Sequence, residues 1–314
     1  MAPPDFGTVQ KFSDPERTLE GAPRARVTLG RLRTLWVNTG TLCNLTCSNC
    51  YIESSPTNDR LAYFTLADLK SYLDEIEAGA LGTEEIAFTG GEPFMNPDIM
   101  AMLEEVLARG FRALVLTNAM QPMTHKRAAL KRLLGEYGSR LSLRVSLDHF
   151  NPDRHDEERG SGGFKTTLAG LKWLAGEGFA PRIAGRTLWG ESEAQIRAGF
   201  HALFADEGIS IDCDDPDALV VFPEMDETAE VPEITEACWG ILGVAPDDIM
   251  CASSRMVVRR KGAAGPTVLA CTLIAYDQRF ELGETLAAAS ETVSLNHHHC
   301  ARFCVLGGGA CSRS

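Results

Sequence analysis

The sequence predicts an α/β protein, a parallel sheet of about six βα units followed by a smaller cysteine-rich module. Three observations lead there. Between residues 33 and 212, short apolar runs of strand length alternate with segments of helical spacing. Alternation of that kind means βαβ units and a parallel sheet. After residue 212 the composition turns acidic and proline-containing. The ten cysteines fall mainly into a tight group at Cys43, Cys47 and Cys50 and a looser group near the C-terminus.

The elements follow in order. Residues 1–30 are polar and proline-containing and read as a leader arm. Thr34–Thr39 is short, apolar and β-prone, a strand feeding a loop. From Thr65 to Glu77 apolar residues recur at Leu66, Leu69, Leu73 and Ile76, a helical spacing. Glu85–Thr89 is a strand. Pro97–Arg109 is a helix with Asn96 as N-cap and Gly110 as stop. Phe111–Thr117 is a strand, Thr124–Leu134 a helix and Leu141–Leu147 a strand. Phe164–Ala175 is a helix ended by Gly176 and Gly178. Phe179–Leu188 is a strand, Glu191–Ala205 a helix, and Ile209–Ile211 a sixth strand. The expected division is an arm at 1–30, the parallel unit at 31–212 and the module at 213–314.

Bulk composition narrows the function. A chain of 314 residues makes one large or two modest domains. Hydrophobic content of 44% and charged content of 23% are those of a globular protein. No apolar run approaches the ~20 residues that span a bilayer. The start, Met-Ala-Pro-Pro-Asp, lacks the basic and apolar regions of a signal peptide, so a cytoplasmic location without membrane partners is expected. Ten cysteines in that setting point to metal or redox chemistry rather than a disulfide framework. The net charge of −13 argues against a broad phosphate-binding surface, so nucleic acid is not an expected partner. The triple histidine His297–His299 is followed by fifteen more residues and is read as native.

The chemistry concentrates in Cys43, Cys47 and Cys50, spaced Cys-x3-Cys-x2-Cys. Three thiolates within eight residues can ligate three irons of a cubane cluster and leave the fourth open, since cysteine thiolates are the usual iron–sulfur ligands. Forty residues past Cys50 comes Gly90-Gly91-Glu92-Pro93, after the strand at Glu85–Thr89. The two motifs together resemble the radical S-adenosylmethionine (SAM) superfamily. The resemblance implies a 4Fe–4S cluster on the three cysteines, with SAM chelating the open iron. It implies reductive cleavage of SAM to a 5′-deoxyadenosyl radical, and a flavodoxin- or ferredoxin-like electron donor. It also implies an open, partial (β/α)6 TIM-like barrel, with which the unit count agrees. Gly90, Gly91, Glu92 and Pro93 would hold SAM, helped by Asn118 in Thr117-Asn118-Ala119, which resembles the family's Thr-Asn-Gly, and by Ser146. One departure is Asn49, where the family often has an aromatic residue.

Ser146-Leu147-Asp148, then His155-Asp156, Arg159 and Gly160–Gly163, resemble a pattern of the peptide- and protein-modifying branch, with His149 in place of a glycine. For Asp148, His155 and Asp156, loop hydrogen bonding and catalysis both remain open. In the C-terminal third, Cys251 and Cys271 flank two short strands around a glycine turn. Phe280-Glu281-Leu282-Gly283 follows, and then Cys300, Cys304 and Cys311. This resembles the auxiliary-cluster modules called SPASM and twitch, and implies one further 4Fe–4S cluster. Which four of the five cysteines ligate it is open, as is zinc, which thiolates also suit.

The leading expectation is a radical SAM oxidoreductase or maturase that abstracts hydrogen from a peptide or protein side chain or a small molecule, with the auxiliary cluster supporting oxidation or bond formation. One alternative is a small-molecule dehydrogenase like the sugar-alcohol enzymes with twitch modules. A non-catalytic iron–sulfur electron carrier or sensor is another.

Overall fold

The computed structural model describes residues 10–226 and 228–309. An arm leads into β1 (Arg26–Val27) and then β2 (Thr34–Asn38). Helices and strands then alternate. They comprise α1 (Leu66–Ala78), β3 (Glu85–Thr89), α2 (Ile99–Ala108), β4 (Arg112–Thr117), the single turn α3 (Gln121–Thr124) and α4 (Arg127–Tyr137). Next come β5 (Leu141–Ser146), α5 (Pro152–Arg159), α6 (Gly163–Gly176), β6 (Arg182–Arg186), α7 (Glu193–Glu207) and β7 (Leu219–Phe222). The C-terminal part carries α8 (Ala237–Leu242), β8 (Ser254–Val258), β9 (Thr267–Leu269), β10 (Val293–Ser294) and a π-helical turn, Cys300–Leu306.

One eight-stranded sheet has the order β7-β6-β5-β4-β3-β2-β8-β9, parallel throughout except for the final antiparallel β8–β9 pair. β2 to β7 are the six strands of an open, TIM-like partial barrel. Their side chains alternate as a pleated strand requires. Leu35, Val37, Ile86, Phe88 and Val115 pack outward under the helices. Trp36, Ala87 and Leu114 point inward and pack against Met250, Met256, Leu273 and Phe303 of the C-terminal part, which fills the concave face.

The expected sixth strand is corrected. Ile209–Ile211 is not a strand, and β7 lies at Leu219–Phe222. Ile209 is buried in the outer core, whereas Leu219-Val220-Val221-Phe222 is the uninterrupted apolar run that a parallel strand covered on both faces needs. The sheet therefore continues past residue 212, where the sequence reading ends the barrel, and β8 extends its other edge by pairing with β2, Leu35 opposite Arg255.

Helix ends show the same competition between local and distant partners. Thr65 caps α1 in a reciprocal box with Asp68, and Ser192 caps α7 with Gln195. Asn96 does not cap α2; Asp98 precedes it. The Asn96 side chain is buried and spent elsewhere, donating to Thr39 O and Phe64 O at 2.9 Å each. Helix α5 was not anticipated because Pro-Asp-Arg-His-Asp-Glu-Glu-Arg has no apolar period; its buried residues are His155 and Glu158.

Candidate active site

Parallel barrels gather their functional loops at the strand C-terminal ends. Here the loops after β2, β3, β4, β5 and β6 surround one cavity of ≈ 1000 Å3, lined by Cys43, Cys47, Cys50, Gly90, Gly91, Asn118, Ser146, Asp148 and Arg186 among others. Backbone N–H groups already point at two of the thiols, Leu45 N to Cys43 Sγ at 3.4 Å and Ser54 N to Cys50 Sγ at 3.3 Å. Burial pushes the Cys43 thiol up to about 12 and raises that of Cys47. Such thiols stay protonated until a metal displaces the proton. Three thiols facing one cavity fit an iron–sulfur cluster with an open iron. The Ser54 hydroxyl, buried on the cavity wall without a protein partner, marks a place for a polar ligand atom.

The glycine motif grips the cysteine loop. Gly91 N donates to Gly40 O at 2.8 Å and Glu92 N to Leu42 O at 3.1 Å. A Cβ at Gly91 would stand 2.1 Å from Leu42 O, and one at Gly90 2.5 Å from Gly40 O. The glycines are thus required by the approach of one backbone to another, as well as by any ligand in the cavity. Gly91→Ala is expected to destabilise the fold by about 1–3 kcal/mol, the usual cost of overpacking, and to cut iron loading of the first cluster. Gly135→Ala, in exposed helix with nothing within 4 Å, is the control and is expected to be neutral or up to ~1 kcal/mol stabilising. Thermal melting and iron analysis check both.

Glu92 lies beneath the cavity rather than on its wall. It is buried and accepts from Thr117 Oγ1 (2.8 Å), Asn118 N (2.8 Å) and Phe94 N (3.2 Å). Burial pushes its carboxyl up to about 7 against those hydrogen bonds. Pro93 opens the buried turn Pro93–Met95. Asn118 faces the cavity and donates to Asn44 Oδ1 in the cysteine loop at 2.9 Å. Ala119 adopts φ 57°, the left-handed conformation that a glycine takes without strain.

Beyond β5 the polar pattern resolves into a scaffold. Asp148 receives a bidentate pair from Arg159, at 2.5 and 2.9 Å. Burial would raise the Asp148 carboxyl, but the guanidinium holds it below its usual value. His155 Nδ1 accepts from Asp148 N at 3.2 Å, and burial lowers the His155 imidazole to about 4, so it is neutral. Asp156 accepts from Gly162 N and Phe164 N and holds the start of α6. His149 is buried against Phe150 and Trp189. Sequence reasoning missed Glu158 and Arg186. The Glu158 carboxylate accepts from Asn49 N and Nδ2 at 2.8 Å and pairs with Arg186 at 3.1 Å. Asn49, the departure from the aromatic pattern, therefore ties the cysteine loop to α5, together with Ser48 N, which donates to Glu158 O at 3.0 Å. Arg186 ends a strand, and that position alone is a signal in a parallel barrel.

A second cavity, ≈ 370 Å3, lies in the C-terminal part. Cys251, Cys271, Cys300 and Cys304 all line it, with an apolar surround of Ile249, Met250, Ile274, Phe280, Val293 and Leu295. The β8–β9 hairpin brings Cys251 and Cys271 together, and the π-helical turn supplies the other two. Burial pushes the Cys251 thiol up to about 11 and that of Cys300 up to about 12. Four thiols in a dry pocket fit one cubane cluster. Cys311 lies outside the described residues. Cys238 and Cys213 are not on its wall, whereas His299 is. Leu273 lines both cavities, and Phe303, beside Cys304, lines the first. The two sites are neighbours across one layer of side chains.

A family model described as the radical SAM superfamily matches residues 37–196, just over half of the chain. The antilisterial bacteriocin subtilosin biosynthesis protein AlbA of Bacillus subtilis (strain 168) is 34% identical over 143 residues, 45% of this chain and 30% of that protein. The AdoMet-dependent heme synthase of Methanosarcina barkeri (strain Fusaro / DSM 804) is 32% identical over 133 residues, 42% of this chain and 36% of its own. The chain thus aligns with less than two fifths of either relative. Among solved structures, Streptococcus suis SuiB bound to S-adenosylmethionine superposes with TM-score 0.58 at 13% identity over 80% of this chain and 62% of that one. Native anSMEcpe with bound AdoMet gives 0.59 at 14% over 85% and 82%. At these identities the structures share the fold.

Proposed function

The chain belongs to the radical SAM superfamily, and we propose that it is an oxidoreductase or maturase acting on an unactivated carbon of a peptide side chain, with two iron–sulfur clusters. When bound, the first cluster and SAM supply reductive cleavage to a 5′-deoxyadenosyl radical. Cys43, Cys47 and Cys50 hold the cluster, and the Gly90–Gly91 backbone, Asn118 and Ser146 border the space left for SAM. Glu92, Asn49, Glu158 and Arg186 keep the loops that carry these groups in one arrangement. The apolar wall of Leu116, Phe222, Met225, Leu273 and Phe303 keeps water from the reacting carbon. The single observation that carries the two-cluster reading is the pair of cysteine-lined cavities with Leu273 as common wall.

The peptide reading rests on the cavity mouth. It opens past Asn49, Cys50, Tyr51 and Arg186 into a solvent-exposed groove of ≈ 760 Å3 bordered by Glu53, Leu188, Glu224 and Asp226. A groove that runs on from the cavity suits a chain passing the site better than a small molecule sealed inside it. Comparative peptide and metabolite profiling of a deletion strain separates the two, and a change confined to a small metabolite would reject the peptide substrate.

Anaerobically reconstituted protein is expected to hold about eight irons per chain, four per cubane cluster, and the Cys43/Cys47/Cys50→Ala variant about half. About four irons in the wild type, or zinc in the second cavity, would remove the auxiliary cluster from the reading.

A further inference from the structure

Most buried arginines of known partners in this protein face a carboxylate. Arg24 pairs with Glu233, Arg159 with Asp148 and Arg186 with Glu158. Arg255 does not. It stands on β8, 1% exposed, and donates to four carbonyl oxygens: Nε to Ala289 O at 2.8 Å, Nη1 to Cys251 O at 2.5 Å and Ser254 O at 2.8 Å, and Nη2 to Glu291 O at 3.2 Å. Those bonds satisfy four of the five N–H donors, all with neutral carbonyl oxygens, and leave the charge uncompensated. A buried cation without an anion is strongly unfavourable unless something negative lies near. Arg255 holds the carbonyl oxygen of Cys251, and Cys251 and Cys271 both stand on the wall of the second cavity, where a bound metal would turn their thiols into thiolates.

We infer that Arg255 is the fixed counter-charge of whatever anionic cluster the four cysteines hold, and that it sets the cluster's reduction potential upward, making it an electron acceptor. This rests on the auxiliary-cluster reading above. Four thiolates around a cubane core leave a net negative charge, and one-electron reduction adds another. A positive charge held behind Cys251 therefore stabilises the reduced form more than the oxidised form; cluster charge and nearby electrostatics are what set such potentials. Its hydrogen bond to the Cys251 carbonyl keeps the charge from swinging away. Arg255 is not among the residues that line the first cavity, so its role is positioning and tuning.

The test uses the full chain carrying Cys43/Cys47/Cys50→Ala, so that the second site is read alone. Potentiometric titration followed by electron paramagnetic resonance gives the midpoint. Arg255→Gln is expected to move it to more negative potential, with the reduced-to-oxidised ratio at fixed potential falling about tenfold, ~59 mV for a one-electron couple. Arg255→Lys keeps the charge without the fork and is expected to hold the parent midpoint. Arg255→Met, which fills the volume without a buried polar group, replaces the glutamine variant if that one fails to load iron. Neutral variants that titrate with the parent overturn the inference, and so does a lysine variant that shifts as far as the glutamine one. A parent with no redox-active cluster overturns the auxiliary-cluster reading and this inference with it. A parent with an ordinary cluster indifferent to Arg255 overturns this inference alone.

Discussion

Anaerobically reconstituted wild type is expected to convert SAM to 5′-deoxyadenosine under reducing conditions, and the Cys43/Cys47/Cys50→Ala variant is expected to fall to background. The expected effect is total because each thiolate would hold a different iron, and no other cysteine among the described residues lines that cavity. The fold survives the change. The loop is tied down by bonds that do not involve sulfur: Gly91 N to Gly40 O, Glu92 N to Leu42 O, and the Glu158 carboxylate to Asn49. From the C-terminal part, the Tyr276 hydroxyl adds a bond to Ile52 O at 2.8 Å. Circular dichroism and melting verify this, with a loss on the order of 1 kcal/mol, typical of single-site truncations, as the upper expectation per position. Cleavage retained in a folded triple variant would refute the assignment of these cysteines.

Cys251→Ala and Cys271→Ala are expected to do the opposite. They should still form 5′-deoxyadenosine and abstract hydrogen, yet lose the final oxidised product. Once a hydrogen atom has left the substrate, a two-electron oxidation still requires one electron and one proton to depart. A cluster held by Cys251, Cys271, Cys300 and Cys304, across the Leu273 wall, would supply an acceptor for that electron without a diffusing carrier. Liquid chromatography of both products from one reaction, after iron analysis has established an intact first cluster, reads the two halves separately. A variant that turns over the true substrate at the wild-type rate makes the second site structural and the oxidoreductase reading wrong. Because Cys251 also accepts from Arg255 through its carbonyl, which alanine retains, the substitution removes the thiolate and leaves that contact in place.

Much of the barrel was legible before any coordinates. The strands Glu85–Thr89 and Leu141–Ser146 stand where the sequence places them, and α1 buries Leu69, Leu73 and Ile76 of the four residues its helical spacing marks. Legibility failed where the deciding contact is distant. Asn96 looks like a cap and is instead a buried tie between Thr39 and Phe64. Helix α5 has no apolar period because it buries a histidine and a carboxylate. Ile209–Ile211 resembles a strand, yet the β6 edge is taken by Leu219–Phe222.

By itself the sequence determined whatever is set by neighbours along the chain. The three-thiol spacing, the glycine pair after a strand and the alternation of strand and helix periods all operate within a few residues, so they are written locally. Only the tertiary structure decided which distant groups share a space. It brought Cys251, Cys271, Cys300 and Cys304 to one cavity, set Leu273 between that cavity and the first, paired Glu158 with Arg186 and laid β8 beside β2. Apart from the Glu158–Arg186 pair, which joins α5 to β6 within the barrel, each of these joins segments brought together by the packing of the C-terminal part against the sheet. That packing is a matter of apolar area, and apolar area is non-directional; no local pattern can specify which buried surfaces will meet.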